Sequence, residues 1–506
     1  MALNPVERRL LDLRALWEGF TGNPASRLLV WEAPGAALRL VECFFEAQKH
    51  EAEYTTRDLC IVLKAPFEHS IGYSRALKAA LAGIYAASAE ELAREGIGAD
   101  WAFDPAALPD SAWGFVQALR SFGARHHQHI GHLAAVLMPA EVSDDEAFAG
   151  WLRRALAAEM PERLRLVVTD PVEQPRLRAL AGADAPRILH LSPDIDMMAL
   201  AQETFAQEVT VGPAGLFRNL LMALVALVEK APAAVVRAKA ADAFDFARRQ
   251  GWDDQQVAVA VLVAGAQLKE GRFDEAIRTY RVADEAAARA VGAGHPAGQK
   301  LLIQARFGEA GAQLAAARPA EAARCYDAAA EIALRIPDLL LAVEAMRMGA
   351  FCHARQQDAA GALERGRRAL ATGGRLRAEV RGMTTLPVAA SDMLRVIDAP
   401  RMTALEAIGA EAAARADAVL EAAEARAAAL ERTVGPEPFD TVEREIEAGR
   451  AASRVEAEAR LKALVAGGTE PFRQAFAAGR ALLGPAWPLG AALGASPGAS
   501  PGEGTP

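Results

Sequence analysis

Arg27-Leu-Leu-Val-Trp-Glu-Ala-Pro-Gly-Ala-Ala-Leu-Arg-Leu-Val-Glu42 reads as a buried strand, a tight turn and a helix that folds back over the strand. Arg27–Glu32 is the strand. Pro34 and Gly35 make the turn, glycine lending the backbone freedom that a sharp reversal uses. Leu38, Val41, Phe44 and Phe45 then recur at helical spacing and mark one apolar face. In an α/β domain the first such strand-turn-helix is where phosphate is gripped by the amino end of the helix. This stretch therefore decides both the fold and whether nucleotide chemistry is available.

Working outward, residues 5–20 form a preceding helix closed by Gly22-Asn23-Pro24. Leu59–Lys64 is a second apolar run ended by Pro66, and a long helix is expected over about 73–94. A helix at about 111–125 leads into a third strand, Leu133–Met138. The next helix starts on Asp144-Asp145-Glu146, and Leu164–Thr169 and Ile188–Leu191 supply two more strands. Near-continuous apolar strands alternating with helices predict an α/β domain with a parallel sheet covered on both faces. Ligands in such sheets bind beyond the carboxyl ends of the strands. Those ends are Glu32, Lys64, Met138–Glu141, Thr169-Asp170 and Ser192–Asp194.

This layout, over about 1–200, resembles the P-loop NTPase core of signal-transduction (STAND-type) regulators. The phosphate loop of that family needs G-x-x-x-x-G-K-[ST], whose backbone N–H groups and lysine surround the phosphates while the hydroxyl holds magnesium. The equivalent stretch here, Glu32–Arg39 with Pro34, Gly35 and Ala36 at the loop position, has one glycine, no lysine and no hydroxyl. The third strand ends in Met138-Pro139, with Glu141 too late to take the place of the metal-holding acid. The resemblance thus implies a degenerate head that keeps the layout and has lost the grip, with no catalytic residue and no cofactor.

Two other constellations in the head carry less. Arg125-His-His-Gln-His-Ile-Gly-His132 holds four of the nine histidines, and the His126/His129 spacing is compatible with a metal. Without a nearby cysteine or carboxylate pair, the expectation is a helix end whose positive side chains meet its dipole. His69-Ser70, Asp170 and Asp194 assemble a Ser/His/Asp set on paper, but Ser70 is not in the G-x-S-x-G elbow that exposes a nucleophile.

From about 203 the periodicity becomes purely helical. Ala260–Ala283 resembles a tetratricopeptide unit: Ala264 at the close approach of two helices, Gly271 at the turn, Phe273 plugging it, and Ala276, Tyr280 and Ala283 on the inner face. Ala310, Gln313, Ala322, Tyr326 and Ala329 lie 46 residues on from Ala264, Gln267, Ala276, Tyr280 and Ala283. A third copy follows 40 residues later with Ala350, Ala362 and Ala369, and Gly366 in place of the tyrosine. The insert Val291–Gly298 is similar to the G-x-x-H-P linker of kinesin-light-chain-type repeats. Such units stack into a solenoid with a concave surface. The resemblance implies a groove for a protein segment, and Gln267, Arg278, Arg306, Gln313, Arg347 and His353 are its expected polar lining.

The expected organisation is a head over 1–200, repeats over 203–371, a connector over 372–400, Ala/Glu/Arg-rich helices over 401–485 and a disordered tail over 486–506. The chain is long enough for about three domains of ~150 residues. With 52% apolar residues and a net charge of −9 spread along the chain, no basic face stands ready to neutralise phosphates, so nucleic acid is not an expected partner. Cys43, Cys60, Cys325 and Cys352 are scattered singly in apolar patterns, as in reduced core positions of a cytoplasmic protein. The most apolar run, Leu216–Val228, is interrupted by Arg218 and Asn219, so no membrane span is expected. High Ala, Gly and Arg usage points to a GC-rich bacterial source. The reading is a non-catalytic, protein-binding adaptor or chaperone-like scaffold, secretion-cargo handling being one bacterial use of such scaffolds. The alternative is a nucleotide-dependent switch that holds ATP or GTP weakly at Pro34-Gly35.

Overall fold

The computed structural model describes residues 3–50, 52–180, 186–207, 212–433, 435 and 437–489. Most of the tail expected from 486 therefore lies outside the described residues. The chain divides into two units, one holding 1–208 with 417–451, the other 209–416 with 452–506.

In the first unit, α1 (Pro5–Thr21) opens on a reciprocal cap. Asn4 Oδ1 accepts from the Glu7 N–H and the Glu7 carboxylate accepts from the Asn4 N–H, both at 2.9 Å. Then come β1 (Leu28–Ala33), α2 (Gly35–Ala47), β2 (Leu59–Leu63), α3 (Ser70–Ala87) and α4 (Ala89–Arg94). They are followed by α5 (Ala112–His126), β3 (Leu133–Leu137), α6 (Asp145–Ala157), β4 (Leu164–Pro171), β5 (Ile188–Leu191) and α7 (Met197–Gln207). The single helix expected over 73–94 is two helices. Ser88 breaks it at a backbone of φ −87°, ψ 0°, its hydroxyl bonded back to the Ile84 carbonyl.

The sheet is parallel throughout, in the order β2-β3-β4-β1-β5. Leu28 lies opposite Leu166 on one side and Ile188 on the other, so β1 is flanked by β4 and β5. Side chains alternate across it: Leu28 and Val30 face the core made with α3, α5 and α6, while Leu29 and Trp31 face the core made with α1 and α2. Because β1 leads into α2 on one face while the segment after β4 packs Leu177 and Leu180 into the core on the other, the connections part at the β1/β4 boundary. That is the crevice where open α/β sheets place ligands. Cys60 is buried, as expected, but Cys43 is exposed; α2 turns about 100° per residue, so position 43 points away from the face that carries Val41 and Phe44.

The second unit contains α8 (Pro213–Lys230), α9 (Ala233–Gln250), α10 (Asp253–Lys269), α11 (Phe273–Gly292), α12 (Gly298–Ala315), α13 (Pro319–Arg335), α14 (Leu339–Arg355) and α15 (Ala359–Gly373). It goes on through α16 (Ala378–Arg381), α17 (Leu386–Ile397), the bases of α18 (Ala399–Ala429) and α19 (Glu437–Ala466), and α20 (Glu470–Leu483). The pairs α10/α11, α12/α13 and α14/α15 are stacked copies of one hairpin. Gly271, Ala317 and Gln357, at equivalent places, all have left-handed backbones, with φ of 71°, 58° and 61°. In each case the next residue's N–H closes the helix end on the carbonyl of Gln267, Gln313 or His353, at 2.9, 2.8 and 3.0 Å. Only the first copy uses glycine for this turn.

The copies lock together through small residues. Ala264, Ala276, Ala283 and their counterparts Ala310, Ala322 and Ala329 are fully buried. The Tyr280 ring packs against Gly308 of the next hairpin, where an added Cβ would stand 2.1 Å from the ring. In the third copy the tyrosine is Gly366, and Met393 of α17 fills the space, 2.5 Å from where a Cβ would be. Residues 372–400, expected to be a connector, thus hold a helix that completes the third repeat. Its Leu386 and Leu394 join Leu405, Leu461, Phe472 and Trp487 in the terminal core.

An L-residue in the left-handed region costs roughly 1–2 kcal/mol, so Ala317→Gly is expected to stabilise the solenoid by about 1 kcal/mol, read as a higher urea midpoint. Gly308→Val should lower the same midpoint, costing about 1–3 kcal/mol as the Tyr280 ring is displaced.

Candidate functional site

At the carboxyl edge of the sheet Glu32, next to last in β1, accepts from Ser192 Oγ at 2.7 Å and pairs with His190 Nδ1 at 2.8 Å. These hydrogen bonds hold its carboxyl below the usual carboxylate range. Gly35 is the first residue of α2, and its N–H, the position from which a phosphate loop would reach its ligand, points at Glu173 from the loop after β4. The nitrogen lies 3.1 Å from both carboxylate oxygens. An anion at the positive end of the helix is what this geometry favours, and here the chain supplies it. A Cβ on Gly35 would meet nothing closer than Glu173, at 3.9 Å, so the turn does not depend on glycine as expected. Pro34 precedes the helix at φ −53°, and Ala36 follows in its first turn.

The Ser/His/Asp set is dispersed. His69 caps α3, its Nδ1 accepting from the Gly72 N–H at 3.2 Å. Ser70 donates its N–H and its Oγ to Glu424, at 2.6 and 2.5 Å, and accepts from Arg154 Nη2 at 2.6 Å. Asp170 is buried and accepts from the backbone N–H groups of Arg176 and Leu177 at 2.8 and 3.1 Å, shaping the loop that carries Glu173. Asp194 is exposed.

The histidine cluster also goes to separate environments. His126 is buried against Tyr85 and Phe122, ring centroids 5.4 and 4.9 Å away, and burial lowers its pKa. His127 ends α5 with Nδ1 2.9 Å from the Ala124 carbonyl, and His129 is exposed. His132 is tied to Asp58. Among the described residues, no three His, Cys, Asp or Glu side chains converge as a metal site.

In the solenoid, Gln267 is buried and accepts from Thr279 Oγ1 at 2.8 Å. It shares a cleft of about 380 Å³ with the exposed Arg278, over Phe244, Val259 and Val263. Arg347 pairs with Glu344 at 2.6 Å and lines a second cleft of about 440 Å³ with Phe351, Met393, Arg355 and Arg395. Arg306 pairs with Asp284 at 2.9 Å and His353 with Asp358 at 2.7 Å, while Gln313 is buried beside Glu309. These three line neither cleft. The sequence reading missed Phe244, Phe351, Met393 and Arg395. Met393 and Arg395 were hidden because α17 was read as connector; its 3.6-residue apolar spacing (Leu386, Ala390, Met393, Leu394) was the available signal.

No protein-family model matches the chain, and no curated protein is similar to it in sequence. Among solved structures, the crystal structure of the apo form of RapI superposes with a TM-score of 0.29 at 12% identity, covering 50% of this chain and 93% of that one. No helix among the described residues is long and apolar enough to cross a membrane.

Asp58 ties the histidine loop to the core. Its carboxylate accepts from Trp17 Nε1 at 2.7 Å, the His132 N–H at 2.7 Å and His132 Nδ1 at 3.0 Å. Burial pushes its pKa up, but the bonds from His132 and Trp17 outweigh this and leave it lowered. A depressed carboxylate stabilises the fold above the ordinary carboxylate range, and that contribution is lost as pH falls through the folded value. Asp58→Asn should cost about 1.5–3 kcal/mol at neutral pH. Urea titrations should show the gap to wild type closing in strong acid.

Proposed function

We propose that the chain is a non-catalytic, protein-binding adaptor of the cytoplasm, with a tetratricopeptide-like solenoid as its binding body and a P-loop-like head that no longer grips phosphate. The observation that carries the reading of the head is Glu173 on the Gly35 N–H. A nucleotide phosphate would have to displace a carboxylate already seated at the helix end, without the lysine that normally compensates phosphate charge. The nucleotide-switch alternative is disfavoured on the same ground.

For the body, stacked hairpins with left-handed helix ends support a solenoid that presents clefts along its length. The second cleft pairs an apolar floor, Phe351 and Met393, with three arginines, Arg347, Arg355 and Arg395, and one acid, Asp392. That chemistry suits a peptide segment carrying an apolar side chain next to a carboxylate.

Two measurements test this. Millimolar Mg-ATP or Mg-GTP should leave the melting temperature unchanged in wild type and in Glu173→Ala; a clear upward shift would establish nucleotide binding. Affinity purification from native cells should recover proteins that are lost with Arg355→Glu but retained with Arg324→Glu, outside the clefts. Equal recovery by both variants sinks the groove.

A further inference from the structure

The head receives an unusual segment. Residues 417–451, the tip of the α18/α19 hairpin, belong to the first unit although both helices continue into the second. The tip brings Glu424 to Ser70 at the start of α3, as described above, and Glu431 to the start of α5. There the Glu431 carboxylate accepts from the Trp113 N–H at 2.5 Å and lies 3.1 Å from Arg154 Nε, while its carbonyl accepts from Ser111 Oγ at 2.6 Å. Arg75 reaches Glu443 at 2.6 Å and Asp440 at 3.0 Å while also holding Asp110 of the head at 2.6 Å. Two helix amino-ends and two arginines on the head thus meet four carboxylates on the hairpin.

The apolar share of this contact is lopsided. Leu420, Ala423, Ala427, Phe439, Val442 and Ile446 of the hairpin form a buried cluster to which, among the described residues, the head contributes only Ile71. The hairpin carries most of its own apolar core, and the head offers mainly directed donors. A hydrophobic centre ringed by charge-assisted hydrogen bonds is the composition of a docking interface rather than of a domain interior.

We propose that Ser70, Ile71, Arg75, Trp113 and Arg154 form a receptor for acidic amphipathic helices, filled in this chain by residues 417–451 and open to a partner helix of the same chemistry when they leave. The site is separate from the solenoid clefts and does not depend on their role. Tethering gives the chain's own hairpin a high effective concentration, so a free helix binds once the tethered one is weakened.

The test uses the full chain carrying Glu424→Arg and Glu443→Arg, with a fluorescent synthetic peptide of residues 417–451 as probe. The double variant should bind the peptide at least about tenfold tighter than wild type, the change worth roughly 1.4 kcal/mol. Hydrogen exchange at the Ser70 and Trp113 amides should speed up in the variant and slow again on adding peptide. Adding Arg75→Glu and Arg154→Glu should abolish both effects. Where charge reversal also loosens β1, read as faster exchange over Leu28–Ala33, Glu424→Gln with Glu443→Gln replaces it and should show the same order of binding. Unchanged exchange over 417–451 in the variants overturns the proposal. So does a released hairpin without peptide binding, or peptide binding that survives the arginine reversals.

Discussion

The N–H groups that begin an α-helix have no partner inside it, and at the carboxyl edge of a parallel sheet several such ends come close together. In this head three of them are met by a glutamate from elsewhere in the chain, Glu173 at α2, Glu424 at α3 and Glu431 at α5, while α6 is capped locally by Asp144. In a nucleotide-binding domain a phosphate would meet the first of these ends. Filling them with carboxylates satisfies the same donors and complements the same dipoles, but it binds parts of the chain to one another. The loop after β4 is held at one end and the α18/α19 hairpin at the other two, so the edge that would be a ligand site becomes an internal junction.

A second constraint governs the solenoid. Each hairpin must reverse direction in very few residues, and the left-handed residue that closes the first helix accomplishes this in all three copies. Gly271 meets the requirement without strain, whereas Ala317 and Gln357 meet it at a cost that packing must offset. Close approach then demands small residues, which is why alanines recur at the interfaces and why Gly308 faces Tyr280. Where the third copy lacks the tyrosine, Met393 arrives from the following helix, so the repeat pattern is completed by residues outside it.

Much of this was legible beforehand because it is local. The five strands, Gly271, the 46-residue spacing and the missing lysine at Pro34-Gly35-Ala36 all follow from periodicity, turn chemistry and motif. The burial of Gln267 and Gln313 was not legible: a polar residue on a helix looks alike whether it meets solvent or, as Gln267 does, the Thr279 hydroxyl of its partner helix. The break at Ser88 and the outward turn of Cys43 were missed for the converse reason, since composition favoured one answer and backbone geometry imposed another.

By itself the sequence determined where the five strands run, the repeating helical hairpins and that the turn after β1 lacks the lysine and hydroxyl of a phosphate loop, because those properties depend on residues close to one another in the chain. Only the tertiary structure decided where the Ala/Glu/Arg-rich helices go. Ser70 and Glu424 are 354 residues apart, and Trp113 and Glu431 are 318 apart. Nothing local distinguishes Glu424 from the many other glutamates on that hairpin. Its role is set by the one helix end that folding places within hydrogen-bond reach, where an unpaired donor and a dipole select a carboxylate.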